Sequence, residues 1–525
     1  MEPHGSAETA DYVGNLVRAT NANAVFEYRY NERNLLVETR YPDLNMRVGY
    51  SYDPVGRMAS MTYPGGEVTS YERDAAGQVT VVVDSQAGRM TMAFDAAGRM
   101  TRETWPNGLA EGLSYDTADH LLGMDPERLD PNGIPGIHYT YDPRGNRLTM
   151  ERSDLGPSTF TYDEISQLLT AKLPDGDLQT YTFDPVGNRL SLQDHRGTQR
   201  YRYDAADQLL DVESDFNPEG PASPGLVFAG PGAPDPSTQV FKTLYGFDQA
   251  GNEVSKVGPG KRPTSYGFDA LERLSSVNSP GSVPERYLYD PEGRRCAILQ
   301  GQKAVKTRFL REGRGRPVLL ELDGSGKPTT RYVVLPTGQL LARVGPVDLK
   351  PVFYHFDALG STIALSDSSG RVLTRFSYDP YGSRRPVPAT DESFCFVGHE
   401  GVSADGSGLL EMGERFYDCG AGRFLSREGL AMRGIRRWEG HGLDNPYAYG
   451  ATNPLRFIDP TGRTVTPGEP MNWLYGEPCM EGEPAGLCAC EIVHAARALH
   501  DLAFPPPPPK DDPPPDTGTK QDPPE

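Results

Sequence analysis

Alternating apolar and polar residues run through most of this chain in short bursts. In Tyr139-Thr140-Tyr141 the two aromatics share one face and the threonine takes the other, the period of a strand with a single buried side. Each burst ends at once in a reverse turn. In Asp142-Pro143-Arg144-Gly145 the Asp can bond its own backbone, the Pro presets φ, and the Gly tolerates positive φ where the next strand begins. A second strand follows, as in Arg57-Met58-Ala59-Ser60-Met61-Thr62-Tyr63, and a Pro, Gly or Asp cluster then reverses the chain again. Two strands and two turns make one unit.

The unit repeats about every 21 residues. Aromatic-Asp pairs stand at Tyr52-Asp53, Phe94-Asp95 and Tyr115-Asp116, and Arg73-Asp74 keeps the spacing where the aromatic is lost. After a slip they resume at Tyr141-Asp142, Tyr162-Asp163, Phe183-Asp184 and Tyr203-Asp204, and after a gap at Phe247-Asp248, Phe268-Asp269 and Tyr289-Asp290. Where the turn lacks its Gly, Asp119 and Asp207 stand in, one of the few residue types that visit the left-handed region. A fixed period of this size marks stacked repeats and predicts one long antiparallel β structure rather than several domains.

The pattern divides the chain. Residues 1–24 read as a polar lead-in without repeats, 25–382 as the repeats, and 383–463 as a distinct following segment. Phe216 to Ser237 is a Gly- and Pro-rich loop, read as a looped-out repeat because Asp204 and Asp248 lie close to two periods apart. Residues 464–504 are variable in character, with a short helix expected over Glu491 to Ala503, and 505–525 form an acidic, Pro-rich tail expected to be disordered.

Charge and composition narrow the function. Lys plus Arg of 52 against Asp plus Glu of 72 gives a net charge of -20, which speaks against nucleic-acid binding by the repeat structure. Six cysteines are too few for a disulfide-built scaffold. No apolar run approaches the ~20 residues that cross a bilayer, and Met1 to Thr20 has no signal-peptide pattern. The expectation is a soluble protein made in the cytoplasm, with any export left to a dedicated system.

The repeats lead into Phe356-Asp357-Ala358-Leu359-Gly360-Ser361 and Tyr378-Asp379-Pro380-Tyr381-Gly382, then Gly408-Leu409-Leu410-Glu411 through Arg415-Phe416-Tyr417-Asp418, Gly422-Arg423-Phe424-Leu425-Ser426-Arg427, and Asn453-Pro454-Leu455-Arg456-Phe457-Ile458-Asp459-Pro460-Thr461-Gly462. This ordered set, over residues 26–463, resembles the Rhs (rearrangement hotspot), or YD-repeat, family with its Rhs-associated core. The resemblance implies an all-β fold, a long sheet wound into a hollow shell closed at one end by the core. In bacterial toxins of the family the shell encloses a variable C-terminal effector, which an intramolecular aspartyl protease in the core releases; teneurins use a similar shell for adhesion. Implied partners are the chain's own C-terminal segment, a secretion system or second shell component, and an immunity protein.

Aspartyl-type peptide hydrolysis needs two carboxyl groups close enough to share a proton. Carried over from the family pattern, the pair here is Glu428 and Asp459, supported by Arg427, with cleavage between Arg463 and Thr464. The sequence departs from that pattern in three places: Glu428 stands for Asp, Gly429 for Pro, and Arg463 for an apolar residue. An added methylene matters, since a misplacement of about 1 Å can cost on the order of 100-fold in rate. Asp444 is an alternative partner. Both acids equally suit a turn role, bonded to nearby backbone N–H groups, and the basic cluster Arg415 to Arg437 suits either carboxylate orientation or a solvated face.

No cofactor is expected. Cys479, Cys488, Cys490 and His494 have a Cys-x-Cys spacing unlike common structural zinc sites, so no metal is assigned. The alternative to a delivery shell is a non-enzymatic YD sheet that binds carbohydrate or protein through exposed aromatics, or a remnant of a longer protein.

Overall fold

In the computed structural model of the chain, each repeat turn forms as its residues dictate. The structure describes residues 6–128, 130, 132–217, 240–301, 304–312, 317–345, 349–385, 392–428, 445–463 and 465–468. At Asp53 the side-chain Oδ1 accepts the N–H groups of Val55 (3.0 Å) and Arg57 (2.9 Å), and Oδ2 takes Arg57 Nε at 2.9 Å. Gly56 closes the turn at φ +95°, and the ladder shifts register at Tyr52, a type I turn followed by a bulge. Asp119 (φ 68°) and Asp207 (φ 61°) take the left-handed position as expected, and Ser166 and Glu272 do so as well.

The tyrosine of each pair has a separate task. Its hydroxyl donates to a backbone carbonyl at the start of the second strand of the preceding unit: Tyr52 to Leu36, Tyr115 to Met100, Tyr162 to Arg147, Tyr203 to Arg189. Where the aromatic is lost, the Arg73 guanidinium donates to Met58 O in the same way. The deeper aromatic lies two residues earlier: Tyr50, Tyr71, Tyr139, Phe160, Tyr181, Tyr201, Tyr266 and Tyr287 are all buried on the inner face.

The result is one sheet of 33 strands among the described residues, each antiparallel to the next, which does not close into a barrel. Leu209–Ser214 pairs directly with Phe241–Phe247, so the ladder continues across the Gly- and Pro-rich loop. The polar lead-in needs correction. Ala7–Ala10 and Leu16–Thr20 are already strands, joined by a turn in which Asp11 accepts from Val13, Asn15 and the Asn15 amide, so the repeat begins one unit earlier than its aromatics indicate. The signal was present in Asp11-Tyr12-Val13-Gly14, but Ala10 precedes it in place of an aromatic.

The sheet also returns on itself. Tyr63 and Tyr71 donate to the Tyr332 and Val334 carbonyls (both 2.8 Å), Arg331 forks onto both oxygens of buried Asp84 (2.8 Å each), and Trp105 packs edge-on against His355. The apolar core is built largely at this seam. Residues 392–428 and 445–463 cover the inner ends of later repeats, carrying a small sheet of Ser403–Ala404, Leu410–Met412, Arg415–Asp418 and Arg423–Phe424. No α-helix occurs among the described residues, and the helix expected over Glu491 to Ala503 lies outside them.

Candidate functional site

Asp459 follows the strand Phe457–Ile458 and opens a turn that comes back as Thr466–Pro467. The turn copies those of the repeats. Pro460 presets φ, Gly462 sits at φ +65°, its N–H reaches Asp459 O at 3.3 Å, and Asp459 Oδ1 accepts the Arg463 N–H (3.0 Å) and the Thr461 hydroxyl (3.2 Å).

The second oxygen is used differently. Oδ2 receives Arg415 Nη2 at 2.9 Å, and Asp459 is only 1 % exposed. Arg415 spends its other donors nearby, Nε on Gly462 O at 2.5 Å and Nη1 on Pro446 O at 2.9 Å, with its guanidinium carbon 3.6 Å from the Phe424 ring centre. Burial lowers the pKa of Arg415, and the charges of Asp459 and then Glu428 oppose that shift.

Glu428 therefore acts on the same guanidinium as Asp459. Its backbone N–H donates to Pro446 O (3.2 Å), the carbonyl that Arg415 also bonds. The turn itself is clamped. Glu414 N–H donates to Thr461 O at 3.1 Å, a Cβ on Gly462 would stand 2.4 Å from Met412 O, and one on Gly413 would stand 2.3 Å from Thr461 O.

Arg427 is placed elsewhere. Its methylenes lie where a Gly251 side chain would go, and its charge pulls against the burial that pushes the Tyr447 hydroxyl up to about 12. The guanidinium at Asp459 is Arg415. Arg463 pairs with Glu414, while Thr464, Asp444, the remaining arginines Arg433 to Arg437, and Cys479, Cys488, Cys490 and His494 lie outside the described residues. Among the described residues no group of three or more His, Cys, Asp or Glu side chains is placed to hold a metal ion, and no helix is long and apolar enough to cross a membrane.

Sequence reasoning missed what seats this segment. Five residues after the turn Asp, most repeats carry an apolar residue, as at Met58, Met100, Leu121, Leu168, Leu209 and Leu274; Arg147, Arg189, Glu253 and Arg295 replace it in alternate repeats and are buried. Arg295 pairs with Asp405 (2.5 Å) and Glu411 (2.7 Å), Arg189 lies 3.9 Å over the Tyr381 ring, and Glu253 N–H reaches Leu425 O at 2.8 Å. Lys256 pairs with Asp418 at 2.6 Å. The readable signal was that switch from apolar to charged at one fixed repeat position.

Comparison with known proteins agrees with this architecture. The profile described as teneurin YD-shell matches residues 156–435, and that described as RHS repeat matches 52–89. The chain is 27% identical over 400 residues to the tRNA nuclease WapA of Bacillus subtilis, covering 69% of this chain and 16% of that protein. It is 26% identical over 389 residues to the toxin protein Tse5 of Pseudomonas aeruginosa (67% and 27%), and 24% identical over 473 residues to the toxin subunit YenC1 of Yersinia entomophaga (79% and 46%). It thus spans less than half the length of each. A solved Tc holotoxin pore of Photorhabdus luminescens, containing a TccC3 variant, shares the fold at a TM-score of 0.66 and 19% identity, over 86% of this chain and 24% of that one. With more than half its length matched, the chain belongs to the teneurin YD-shell family of YD-repeat proteins.

Proposed function

We propose that the chain is the shell-forming part of a delivery toxin, in which the YD sheet and the segment ending at Gly462 hold a C-terminal effector apart until the Asp459 turn is cut. The observation that carries this is the buried Arg415, bonded to Asp459 and within reach of the charge of Glu428, on the turn just before the expected cut. The toxin relatives support the delivery role, and a relative named a toxin subunit supports a partner shell component. Export by a dedicated system and an immunity protein belong to the same proposal. Asp459 takes a proton from water, whose oxygen attacks the Arg463 carbonyl carbon. Glu428 gives a proton to the Thr464 nitrogen, the C–N bond breaks, and one turnover ends the reaction.

A second reading has its own support. Both oxygens of Asp459 are engaged, Oδ1 by the N–H four residues on as in a repeat turn and by the Thr461 hydroxyl, which suits a structural core without cleavage. The sheet would then act by binding. Its exposed large apolar side chains among the described residues are aliphatic apart from Tyr12, which favours a protein over a carbohydrate partner. Intact mass of the purified chain separates the two readings. Autoproteolysis yields a product ending at Arg463 that both Glu428→Gln and Asp459→Asn abolish; a chain that stays whole over days at several pH values removes the protease and leaves the structural core.

A further inference from the structure

Most buried carboxylates in this fold face a cation. Asp84 has Arg331, Asp418 has Lys256, Glu392 has Arg343, and Glu411 has both Arg295 and Arg311. Glu103 and Glu111 have none. They are direct Cα partners on Met100–Thr104 and Ala110–Tyr115, are 7 % and 4 % exposed, and their side chains make no hydrogen bond or ion pair among the described residues. At the Glu103 position the repeat carries apolar residues such as Met61, Val82 and Met124; at the Glu111 position it carries Val48, Met90 and Ile137 in some units and polar residues such as Thr69, Ser158 and Gln179 in others.

The pair faces a cavity of about 50 Å³ at the seam where the sheet meets itself, with Leu341, Tyr354 and Phe356 on the far side. We propose that Glu103 and Glu111 form a proton-operated latch: protonated, they let this hairpin pack on the facing strands, and ionised, they push it off those strands while the Asp84–Arg331 part of the seam stays in place. Two like charges on opposed residues in an apolar wall repel each other and lose their hydration together. The surrounding charges do not relieve them. Asp125 on the next strand adds to the repulsion on Glu111. Asp357, His399 and Glu400 also line the cavity, His399 Nδ1 lies 3.0 Å from Glu400, and among the described residues no Lys or Arg lines it.

Burial pushes the Glu103 carboxyl up to about 8, and burial followed by the charges of Glu103 and Asp125 pushes Glu111 well above the ordinary range. A carboxyl raised in the folded state stabilises it in the protonated form. That stability is complete below the ordinary value of 4.5 and is lost as pH climbs through about 8 for Glu103, and over a higher range for Glu111. Ile458 and Gly468 border the same cavity, so opening would also loosen Thr466–Pro467 beyond the cut proposed above. The latch itself does not depend on that cut.

Hydrogen exchange of the full chain between pH 5 and 9, corrected for intrinsic rates, tests it. Protection of residues 100–115 should fall with rising pH, by up to about tenfold per pH unit for each ionising group, while Val79–Asp84, where Asp84 meets Arg331, stays level. The double variant Glu103→Met, Glu111→Ile should abolish the dependence. Should it fail to fold, Glu103→Gln keeps the shape, removes one ionisation and should lower the slope. A wild-type chain with level protection, or variants with the wild-type slope, would overturn the latch.

Discussion

The turns at Asp53 and Asp459 share their parts and differ in the partner of one oxygen. At Asp53 the Oδ2 atom bonds Arg57, four residues on, and the pair is partly exposed. At Asp459 it bonds Arg415, from another strand, and the pair is buried. The repeat turn therefore organises its own hairpin, while the Asp459 turn locks three stretches together through one guanidinium: its own, Met412–Arg415 and Pro446. A local motif has become a tertiary one without changing its backbone.

The sharpest test removes the cation from each. Arg415→Met strands a buried carboxylate and should cost roughly 3–5 kcal/mol. Arg57→Met, at a partly exposed pair, should cost no more than about 1 kcal/mol. Urea unfolding measures both, with limited proteolysis of residues 445–468 showing where the first acts. Equal small losses would mean that Asp459 is no more than another repeat turn.

Glycine gives a smaller contrast of the same kind. Gly176 (φ +89°) and Gly462 (φ +65°) both need the left-handed region, so alanine should cost about 1–2 kcal/mol at either. Among the described residues nothing lies within 4 Å of a Cβ on Gly176, whereas one on Gly462 meets the Met412 carbonyl at 2.4 Å. Gly462→Ala should therefore lower the unfolding midpoint clearly more than Gly176→Ala. Matching midpoints would show that the clamp around the Asp459 turn yields easily.

What could be read from the sequence was whatever the chain decides within a few residues. Asp142, Pro143 and Gly145 set their turn by local bonds and φ preferences, so period, strand pairing and turn chemistry were all legible. The Asp11 turn escaped because the reading leaned on the aromatic, which the turn does not need. Asp459 was singled out by its motif, but the partner of its second oxygen was not. Arg415 lies 44 residues away and was one of several arginines whose sequence surroundings suit a solvated face as well as a buried pair. Arg189 and Arg295 were invisible for the same reason, since their neighbours come from residues more than 100 positions later.

The smallest effect concerns the tyrosine that names the repeat. Tyr203 hands its hydroxyl to Arg189 O at 2.9 Å, whereas Phe183 in the preceding unit has no hydroxyl to give. If the hydrogen bond matters, Tyr203→Phe should lose about 0.5–1.5 kcal/mol in urea unfolding, the usual net worth of one such bond. Arg73 already argues that it does, because a side chain with no aromatic ring donates to the equivalent carbonyl, Met58 O. A neutral Tyr203→Phe would reverse that argument. The aromatic would then be kept for its ring alone, and contact between repeats would rest on the more deeply buried row that includes Tyr181 and Tyr201.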